Sequence, residues 1–356
     1  MSMFKDMLRG DESLFRNEMA LDFEFLPKLL PYRENEQRHF ATCIAPLLQS
    51  RNGRNLFLYG APGIGKTAAM RFVFRDLEEE TDDVIPVYVN CWQKNTTFKI
   101  LIEICDQLGY KLTHNKRTEE LFEVVKGIVN KKAAVFAFDE VDKVEDYDFI
   151  YSILEEIFKK SVFLITNHKD WLMELDQRIK SRLLPEVLEF RKYSLAEVKG
   201  ILKQRIGYAF APGVWDDDAI DAVAARTFEL EDLRSGLYLL RESGLAAEVK
   251  SSRKVTVEHV KEAVAKMDEF SVKSKSELDD DVQNILYIIK ENSGKKIGDL
   301  FKLYRQGGGQ SVYKTFQRKI RKLADGKFIS IQSIKGGADG TTSIITYQST
   351  KKLTEF

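Results

Sequence analysis

The stretch that decides the fold is Gly60-Ala61-Pro62-Gly63-Ile64-Gly65-Lys66-Thr67, which fits the pattern G-x-x-x-x-G-K-[ST]. It follows Asn55–Tyr59, an apolar segment typical of a buried strand, and it precedes a run of helix-forming residues. The glycines allow backbone N–H groups to surround phosphate at a helix N-terminus, where the helix dipole also favours anions. We therefore expect this P-loop to bind ATP or ADP, with Lys66 neutralising the β- and γ-phosphates and the Thr67 hydroxyl ligating Mg²⁺.

A second segment supplies the acidic partner of the P-loop. Ala133–Asp139 is apolar up to its last residue, so it predicts a buried strand that delivers Asp139 to the edge where the P-loop lies. A carboxylate in this place can hold Mg²⁺ through the ion's water shell. Glu140, the next residue, is then placed to act as general base toward the attacking water.

Three further polar positions complete the predicted catalytic set. Asn167 follows the apolar strand Val162–Thr166 and is expected to orient water or to sense the γ-phosphate. An exposed arginine before the last strand suits a finger that reaches a neighbouring subunit's γ-phosphate; Arg178 and Arg182 compete for this role, and we favour Arg182. Arg234 lies in the first turn of a helix, which is unfavourable for a cation unless an anion such as ATP lies nearby. It is therefore expected to couple nucleotide state to domain closure.

Strands and helices alternate through the first half of the chain. The predicted strands are Asn55–Tyr59, Val84–Asn90, Ala133–Asp139, Val162–Thr166 and Glu186–Phe190. Helical patterns separate them, so we predict an α/β fold with a parallel five-stranded sheet covered on both faces. After Tyr193 the strands stop, and a capping box at Ser194–Glu197 begins an all-helical region. The predicted domains are a nucleotide-binding core at 1–192, a helical lid at 193–270, a polar linker at 271–281 and a last domain at 282–356.

Charge is divided unevenly along the chain. From Val282 to the end there are 14 Lys/Arg against 5 Asp/Glu, a net charge of +9, although the whole chain has a net charge of zero. A basic end on an acidic body favours a polyanionic partner, and an ordinary solvated basic face is the alternative. No apolar run approaches the ~20 residues that a membrane span needs, and the start of the sequence does not read as a secretory signal. We therefore expect a cytoplasmic protein, associated with the nucleoid if its polyanionic partner is DNA.

Cysteine and histidine usage indicates no metal site at the level of sequence. The chain has three cysteines, Cys43, Cys91 and Cys105, at spacings that match neither a disulfide framework nor a zinc motif. Its four histidines are scattered. We expect reduced, partly buried thiols and no zinc.

Together these residues resemble the AAA+ superfamily and, within it, the archaeal origin-recognition initiators related to eukaryotic Orc and Cdc proteins. The more discriminating matches lie outside the P-loop, at Leu30–Glu34, Val87–Cys91, Asp176–Leu183, Asp232–Arg234 and Leu239–Gly244. The resemblance covers nearly the whole chain. It implies that Tyr32 and Arg33 lie near the adenine, although Tyr32 stands where histidine is usual.

The resemblance also implies a function. It predicts a AAA+ core, a lid and a C-terminal winged helix that bind double-stranded origin DNA, alone or with other copies or paralogues, and help to recruit the MCM replicative helicase. Hydrolysis is expected to be slow, so that the bound nucleotide acts as a switch. Two other classes stay open: a STAND-type signalling ATPase, which usually adds sensor repeats, and a AAA+ ATPase that remodels protein partners and uses its winged helix for protein contacts.

The last domain carries a candidate DNA-binding face. Between Gln310 and Leu323, one narrow helical stripe is apolar, formed by Val312, Phe316, Ile320 and Leu323. The opposite side is basic at roughly 100° per residue, with Lys314, Arg318, Arg321 and Lys322. Lys319 falls near the apolar edge and is left out. Other candidate DNA contacts are Lys335 in the glycine-rich hairpin and, from the core, Lys111, Lys116 and Arg117.

Overall fold

The computed structural model describes residues 13–276, 280–309, 311–325, 328–335 and 341–347. The chain divides into two units, Met1–Ala263 and Val264–Phe356, and each is described by itself. None of the described helices is both long and apolar enough to cross a membrane.

The first unit is built on a parallel sheet of five strands in the order β2-β3-β4-β1-β5. The strands are β1 (Leu56–Tyr59), β2 (Val84–Asn90), β3 (Ala133–Asp139), β4 (Lys160–Thr166) and β5 (Glu186–Glu189). Every residue of β3 is buried because this strand lies inside the sheet with both faces covered. The predicted α/β fold is confirmed, and the strand limits differ from the predicted ones by at most two residues.

The helices of the core are α1 (Glu34–Leu48), α2 (Lys66–Glu80), α3 (Thr97–Gln107), α4 (Thr118–Val129), α5 (Asp148–Glu156), α6 (Trp171–Glu174) and α7 (Gln177–Leu183). Helix α1 is not among the predicted elements. Pro46 is a signal against a helix in most contexts, but here it lies in the last turn of α1. The buried stripe of α1 includes Phe40, Cys43 and Leu47.

The register of the sheet places the functional segments side by side. β1 pairs with β4, with Tyr59 opposite Thr166, and β3 pairs with β4, with Asp139 opposite Ile165. Because parallel strands end at one edge, the P-loop after β1, the acidic pair that ends β3 and Asn167 after β4 meet there.

The lid contains α8 (Leu195–Ala209), α9 (Asp217–Leu230), α10 (Leu233–Val249) and the first part of α11 (Val257–Ser276), whose residues from Val264 onward belong to the second unit. The predicted capping box is present, since the Ser194 hydroxyl accepts from the Glu197 N–H and the Glu197 carboxylate accepts from the Ser194 N–H.

The N-terminal segment packs on the lid. Arg205 of α8 is buried and donates to the carbonyls of Ala20 and Phe25, and the Phe15 ring lies 4.6 Å from that of Phe210. Residues 15–25, which the prediction places in the core domain at 1–192, therefore contact lid side chains as well.

The predicted linker at 271–281 is helical over most of its described length. Helix α11 continues to Ser276, and the next helix, α12 (Asp280–Glu291), begins at its far end. This stretch is polar and charged, but it contains no glycine or proline, so its composition does not break a helix.

The second unit contains α12, β6 (Lys295–Lys296), α13 (Ile297–Gln306), α14 (Tyr313–Asp325), β7 (Ile329–Lys335) and β8 (Thr341–Tyr347). Its antiparallel strands lie in the order β6-β8-β7. Helices followed by a hairpin match the layout predicted for a winged helix. Phe316, Ile320 and Leu323 are buried as predicted. Val312 is 67% exposed because it precedes the first turn of α14, so its place in the apolar stripe is corrected.

Candidate nucleotide site

The P-loop joins the end of β1 to the start of α2, as the sequence predicts. Gly63 and Gly65 have φ angles of +73° and +89°, a region that side chains with a Cβ rarely adopt. Helix α2 begins at Lys66, so the loop wraps the positive end of a helix dipole. The Gly63 carbonyl accepts from the Leu233 N–H over 3.2 Å, and the loop therefore contacts the first residue of lid helix α10 directly.

Lys66 is buried and points into the loop. Its ammonium donates to the carbonyls of Gly60 and Ala61, each over 2.8 Å, and to Asn167 Oδ1 over 2.7 Å. Burial lowers the pKa of Lys66 to about 8, although Asp139 and Glu140 oppose this shift. An arriving phosphate would restore the full charge of the ammonium and replace these neutral acceptors.

Asp139 is buried at the end of β3 and is held by three donors. Its Oδ2 accepts from the Thr67 hydroxyl and, over 2.8 Å, from the Tyr88 hydroxyl; its Oδ1 accepts from the Glu140 N–H over 3.0 Å. Among the described residues Asp139 forms no ion pair within 4 Å, and the nearby Lys66 ammonium interacts with it only at longer range. The Thr67 hydroxyl and this carboxylate are the oxygen ligands that Mg²⁺ prefers, and the residues fit the ion.

Tyr88 was missed by sequence reasoning. It lies on β2, paired with Ala137 of β3, and its ring is covered by the Arg71 guanidinium at 4.7 Å. Burial and, second, the nearby charge of Asp139 raise the pKa of the Tyr88 hydroxyl. The hydroxyl therefore keeps its proton and donates a hydrogen bond to Asp139. The only signal in the sequence is its position within the segment Val87–Cys91.

Glu140 has a strained backbone and a carboxylate whose pKa is raised. Its φ of +54° is uncommon for a residue with a side chain, and such strain is concentrated at functional sites. Burial raises the pKa of Glu140, and the negative charges of Asp139 and Asp142 raise it further. A carboxylate with a raised pKa is a stronger base, as the predicted role requires.

A small network behind the site fixes the turn that carries Asn167. The Thr166 hydroxyl donates to Asp142 over 2.7 Å, and Lys143 pairs with the same carboxylate over 3.0 Å. Hydrogen bonding from Thr166 and Lys143 outweighs burial and lowers the pKa of Asp142. Sequence reasoning missed Asp142, because an acidic residue in a loop gives no sign of its partners.

Core, lid and N-terminal segment enclose a cavity of about 410 Å³ around these groups. Its polar lining includes the P-loop residues Gly63, Gly65, Lys66 and Thr67 with Asp139, Glu140 and Asn167. Its apolar lining includes Phe25, Leu26, Leu30, Pro31, Ile201 and Leu202. A cavity lined by both charged and apolar groups suits a nucleotide, which carries charged phosphates and a flat base.

Arg234 lies where the sequence predicts, in the first turn of α10, and it lines this cavity. Its main-chain N–H donates to the Asp232 side chain over 2.9 Å. Burial and the neighbouring carboxylates have larger effects on the pKa values of Lys66 and Glu140, and the positive charge of Arg234 lowers both. The guanidinium therefore influences both the predicted phosphate-binding lysine and the predicted general base.

Arg33, which the resemblance places near the adenine, is not among the residues that line the cavity. Its side chain is 0% exposed and donates to the Tyr193 hydroxyl over 2.9 Å, to the Ile64 carbonyl over 3.1 Å and to the Arg191 carbonyl over 2.7 Å. It therefore braces the P-loop against the start of the lid. Tyr32 also lies outside the lining, next to Gly200 of α8.

The two finger candidates lie on α7, away from the cavity. Arg182 pairs with Glu155 and lies over the Tyr151 ring at 4.9 Å, whereas Arg178 pairs with Asp176 over 3.2 Å. The Arg178 side chain is 76% exposed and that of Arg182 is 37% exposed. A finger that serves another subunit must lie outside its own cavity, so both remain candidates.

The predicted DNA contacts are partly described. Lys314, Arg318 and Arg321 are exposed on α14, as expected. Lys319 instead donates to Asp281 over 2.6 Å, within its own unit, which agrees with its omission. The side chains of Lys322 and Lys335 lie outside the described residues. In the core, Lys111 and Arg117 are exposed and Lys116 is half-buried.

Comparisons with known proteins agree with this arrangement. Residues 49–170 match the family described as AAA domain, and residues 199–265 match the family described as Cdc6 AAA+ ATPase-type lid domain. The two matches fall on the core and on the lid, and both of these parts contribute residues to the cavity lining.

Similar proteins span nearly the whole chain. ORC1-type DNA replication protein 2 of Methanosarcina acetivorans is 30% identical over 354 residues, 96% of this chain and 95% of that protein. ORC1-type DNA replication protein 1 of Archaeoglobus fulgidus is 31% identical, covering 91% of this chain and 84% of its own. The solved structure of the Aeropyrum pernix ORC1 protein in complex with DNA is 28% identical, covers 94% of each chain and has a TM-score of 0.71.

Proposed function

Since this chain belongs to the family of ORC1-type DNA replication proteins, we propose that it is an ATP-dependent initiator that binds double-stranded origin DNA and helps to load the MCM replicative helicase. The observation that carries the proposal is one cavity in which P-loop, acidic pair and lid Arg234 converge. A nucleotide in that cavity contacts core and lid together, so its state can set their closure.

Some residues of the site bind the phosphates and the metal, and others position and activate the attacking water. Lys66 exchanges the Gly60 and Ala61 carbonyls for phosphate oxygens, and Thr67 and Asp139 would hold Mg²⁺. Bound Mg²⁺ would neutralise charge on the β- and γ-phosphates. Asn167, no longer occupied by Lys66, is free to hold the attacking water, and Glu140 accepts its proton.

Slow turnover is proposed because neither finger candidate lines the cavity. Among the described residues the arginines that do so are Arg71, Arg205 and Arg234, and Arg205 is committed to the carbonyls of Ala20 and Phe25. Arg178 and Arg182 lie elsewhere, so a finger has to come from another copy or a paralogue. A single chain would then hold its nucleotide as a switch and hydrolyse it weakly.

DNA binding is proposed for α14 and its hairpin. The exposed side of α14 carries Lys314, Arg318 and Arg321, opposite the buried Phe316 and Ile320. The DNA complex of the similar A. pernix protein supports DNA as the partner. Lys111, Lys116 and Arg117 are proposed as a second contact from the core.

A salt titration of duplex DNA binding tests this proposal. We compare the wild type, Arg318→Ala/Arg321→Ala and Lys302→Ala, a control on α13 whose side chain is 77% exposed. If each arginine neutralises one phosphate, the double variant loses about 1.8 from the slope of log affinity against log salt. The control should keep the wild-type slope. Equal slopes in all three proteins would remove α14 from the DNA interface and favour a winged helix used for protein contacts.

A further inference from the structure

A cluster of three potential metal ligands lies away from the nucleotide cavity, between α1 and edge strand β5. His39 and Cys43 are four residues apart on one face of α1, and Glu186 begins β5. The His39 Nε2, the Cys43 Sγ and a Glu186 carboxylate oxygen all lie within 4.8 Å of one another. Neither the nucleotide chemistry nor the predicted DNA contacts use these side chains.

The three side chains converge on the Glu186 carboxylate. The His39 Nε2 lies 3.0 Å from Glu186 Oε2, an ion pair when the ring is protonated, although the angle is not that of a hydrogen bond. The Cys43 Sγ lies 3.9 Å from the same oxygen and is completely buried. A nitrogen, a sulfur and an oxygen that can each donate a lone pair to a metal thus lie close together.

The distances suit a small divalent cation. Zinc lies about 2.0–2.3 Å from nitrogen, oxygen and sulfur ligands, so donor atoms around one tetrahedral ion are about 3.3–3.7 Å apart. The observed separations of 3.0 Å and 3.9 Å bracket this range. The ligands lie on a helix and on a strand, elements that hold side chains more precisely than loops do.

We propose that His39, Cys43 and Glu186 form a binding site for a zinc-class divalent transition metal that ties α1 to β5. The donor set of imidazole, thiolate and carboxylate is one that zinc accepts, and water can fill the fourth position because His39 and Glu186 are partly exposed. Thiolate and carboxylate together balance the two positive charges of the ion.

Binding requires one proton to leave. Burial, followed by the charge of Glu186, raises the pKa of the Cys43 thiol to about 12, so the metal-free thiol is protonated. The metal takes the place of that proton, which passes to solvent as the metal–sulfur bond forms. Arg54, now 3.0 Å from Glu186 Oε1, is largely exposed and can turn into solvent.

Cobalt(II) is the probe for this site. The full-length protein is freed of metal and nucleotide with a chelator, kept reduced with a phosphine and titrated with Co²⁺. We expect one Co²⁺ per chain with a near-ultraviolet thiolate-to-cobalt charge-transfer band, and one equivalent of Zn²⁺ should bleach it. The Mg²⁺ site has only oxygen ligands and gives no such band, so the result is independent of the proposed function.

Variants assign the ligands. Cys43→Ser should lose the charge-transfer band, whereas Cys105→Ser, a control at an equally buried cysteine, should keep it. Glu186→Gln, at a partly exposed position, should weaken Co²⁺ binding by at least about tenfold. Zinc should raise the melting temperature of the wild type and of Cys105→Ser, and leave that of Cys43→Ser unchanged.

Three results would overturn the proposal. One is a wild type without a thiolate band at one equivalent of Co²⁺. Another is a band that persists in Cys43→Ser or disappears equally in Cys105→Ser. If Cys43→Ser does not fold, Glu186→Gln decides, and wild-type Co²⁺ affinity in that variant would show that the cluster is only a His–Glu pair beside a buried thiol.

Discussion

Replacing Tyr88 with phenylalanine removes a single hydroxyl from the nucleotide site. That hydroxyl donates to Asp139 Oδ2 over 2.8 Å, and Thr67 donates to the same oxygen. If the Thr67 hydroxyl were to ligate Mg²⁺ instead, Tyr88 would be the remaining side-chain donor to Oδ2. The ring itself is held by the Arg71 guanidinium, and phenylalanine keeps that contact.

The size of the effect follows from the charge of the acceptor. A hydrogen bond to a charged group contributes about 1.5–3 kcal/mol, and about 1.4 kcal/mol corresponds to a factor of ten in an equilibrium constant. We therefore expect the Mg²⁺ concentration for half-maximal ATP binding to rise about 10- to 100-fold in Tyr88→Phe. Binding of ATP in chelator should stay at the wild-type level, because Tyr88 acts through Asp139.

The assay is a Mg²⁺ titration with a fluorescent ATP analogue, repeated in chelator. Tyr59→Phe is the matched control, since it removes a tyrosine–carboxylate bond of 3.0 Å to Glu189 outside the cavity. The control should titrate like the wild type. If Tyr88→Phe keeps the wild-type Mg²⁺ dependence, or if Tyr59→Phe shifts equally, the reasoning about Asp139 is refuted.

Three other substitutions test the site, and a fourth, Gly127→Ala, is the control for Gly63→Ala. Lys66→Ala should abolish ATP and ADP retention, measured by equilibrium dialysis, while circular dichroism shows an intact fold. Glu140→Gln should bind ATP normally and lose phosphate release; normal turnover would remove its role as base. Gly63→Ala should lower the free energy of unfolding by at least about 1–2 kcal/mol, because its φ is +73° and a Cβ there would meet Asp232 Oδ1 at 2.1 Å. Gly127→Ala, where a Cβ meets nothing within 4 Å, should instead stabilise helix α4 by about 0.5–1 kcal/mol.

Much of the core could be predicted from local sequence patterns. The strands were predictable because their apolar runs are short and bounded, and the P-loop because its glycines and lysine have a fixed spacing. Asp139 and Asn167 followed from one rule, that parallel strands end at the same edge. Arg234 followed from the electrostatics of a helix N-terminus.

The remaining features depend on tertiary contacts that a local pattern does not contain. Arg33 looks like a ligand contact in sequence, but four carbonyl, hydroxyl and carboxylate acceptors surround it in the fold. The N-terminal segment belongs with the lid because Arg205, far along the chain, binds its carbonyls. Glu186 is 143 positions from Cys43, so spacing alone could not bring them together.

The central claim is that one nucleotide contacts core and lid at once. Hydrogen–deuterium exchange of the full chain, with and without ATP and Mg²⁺, tests it most directly. We predict protection in the P-loop and, to a similar degree, in the lid segments 201–205 and 233–237 that line the cavity. Protection of the P-loop with unchanged exchange in both lid segments would contradict the account.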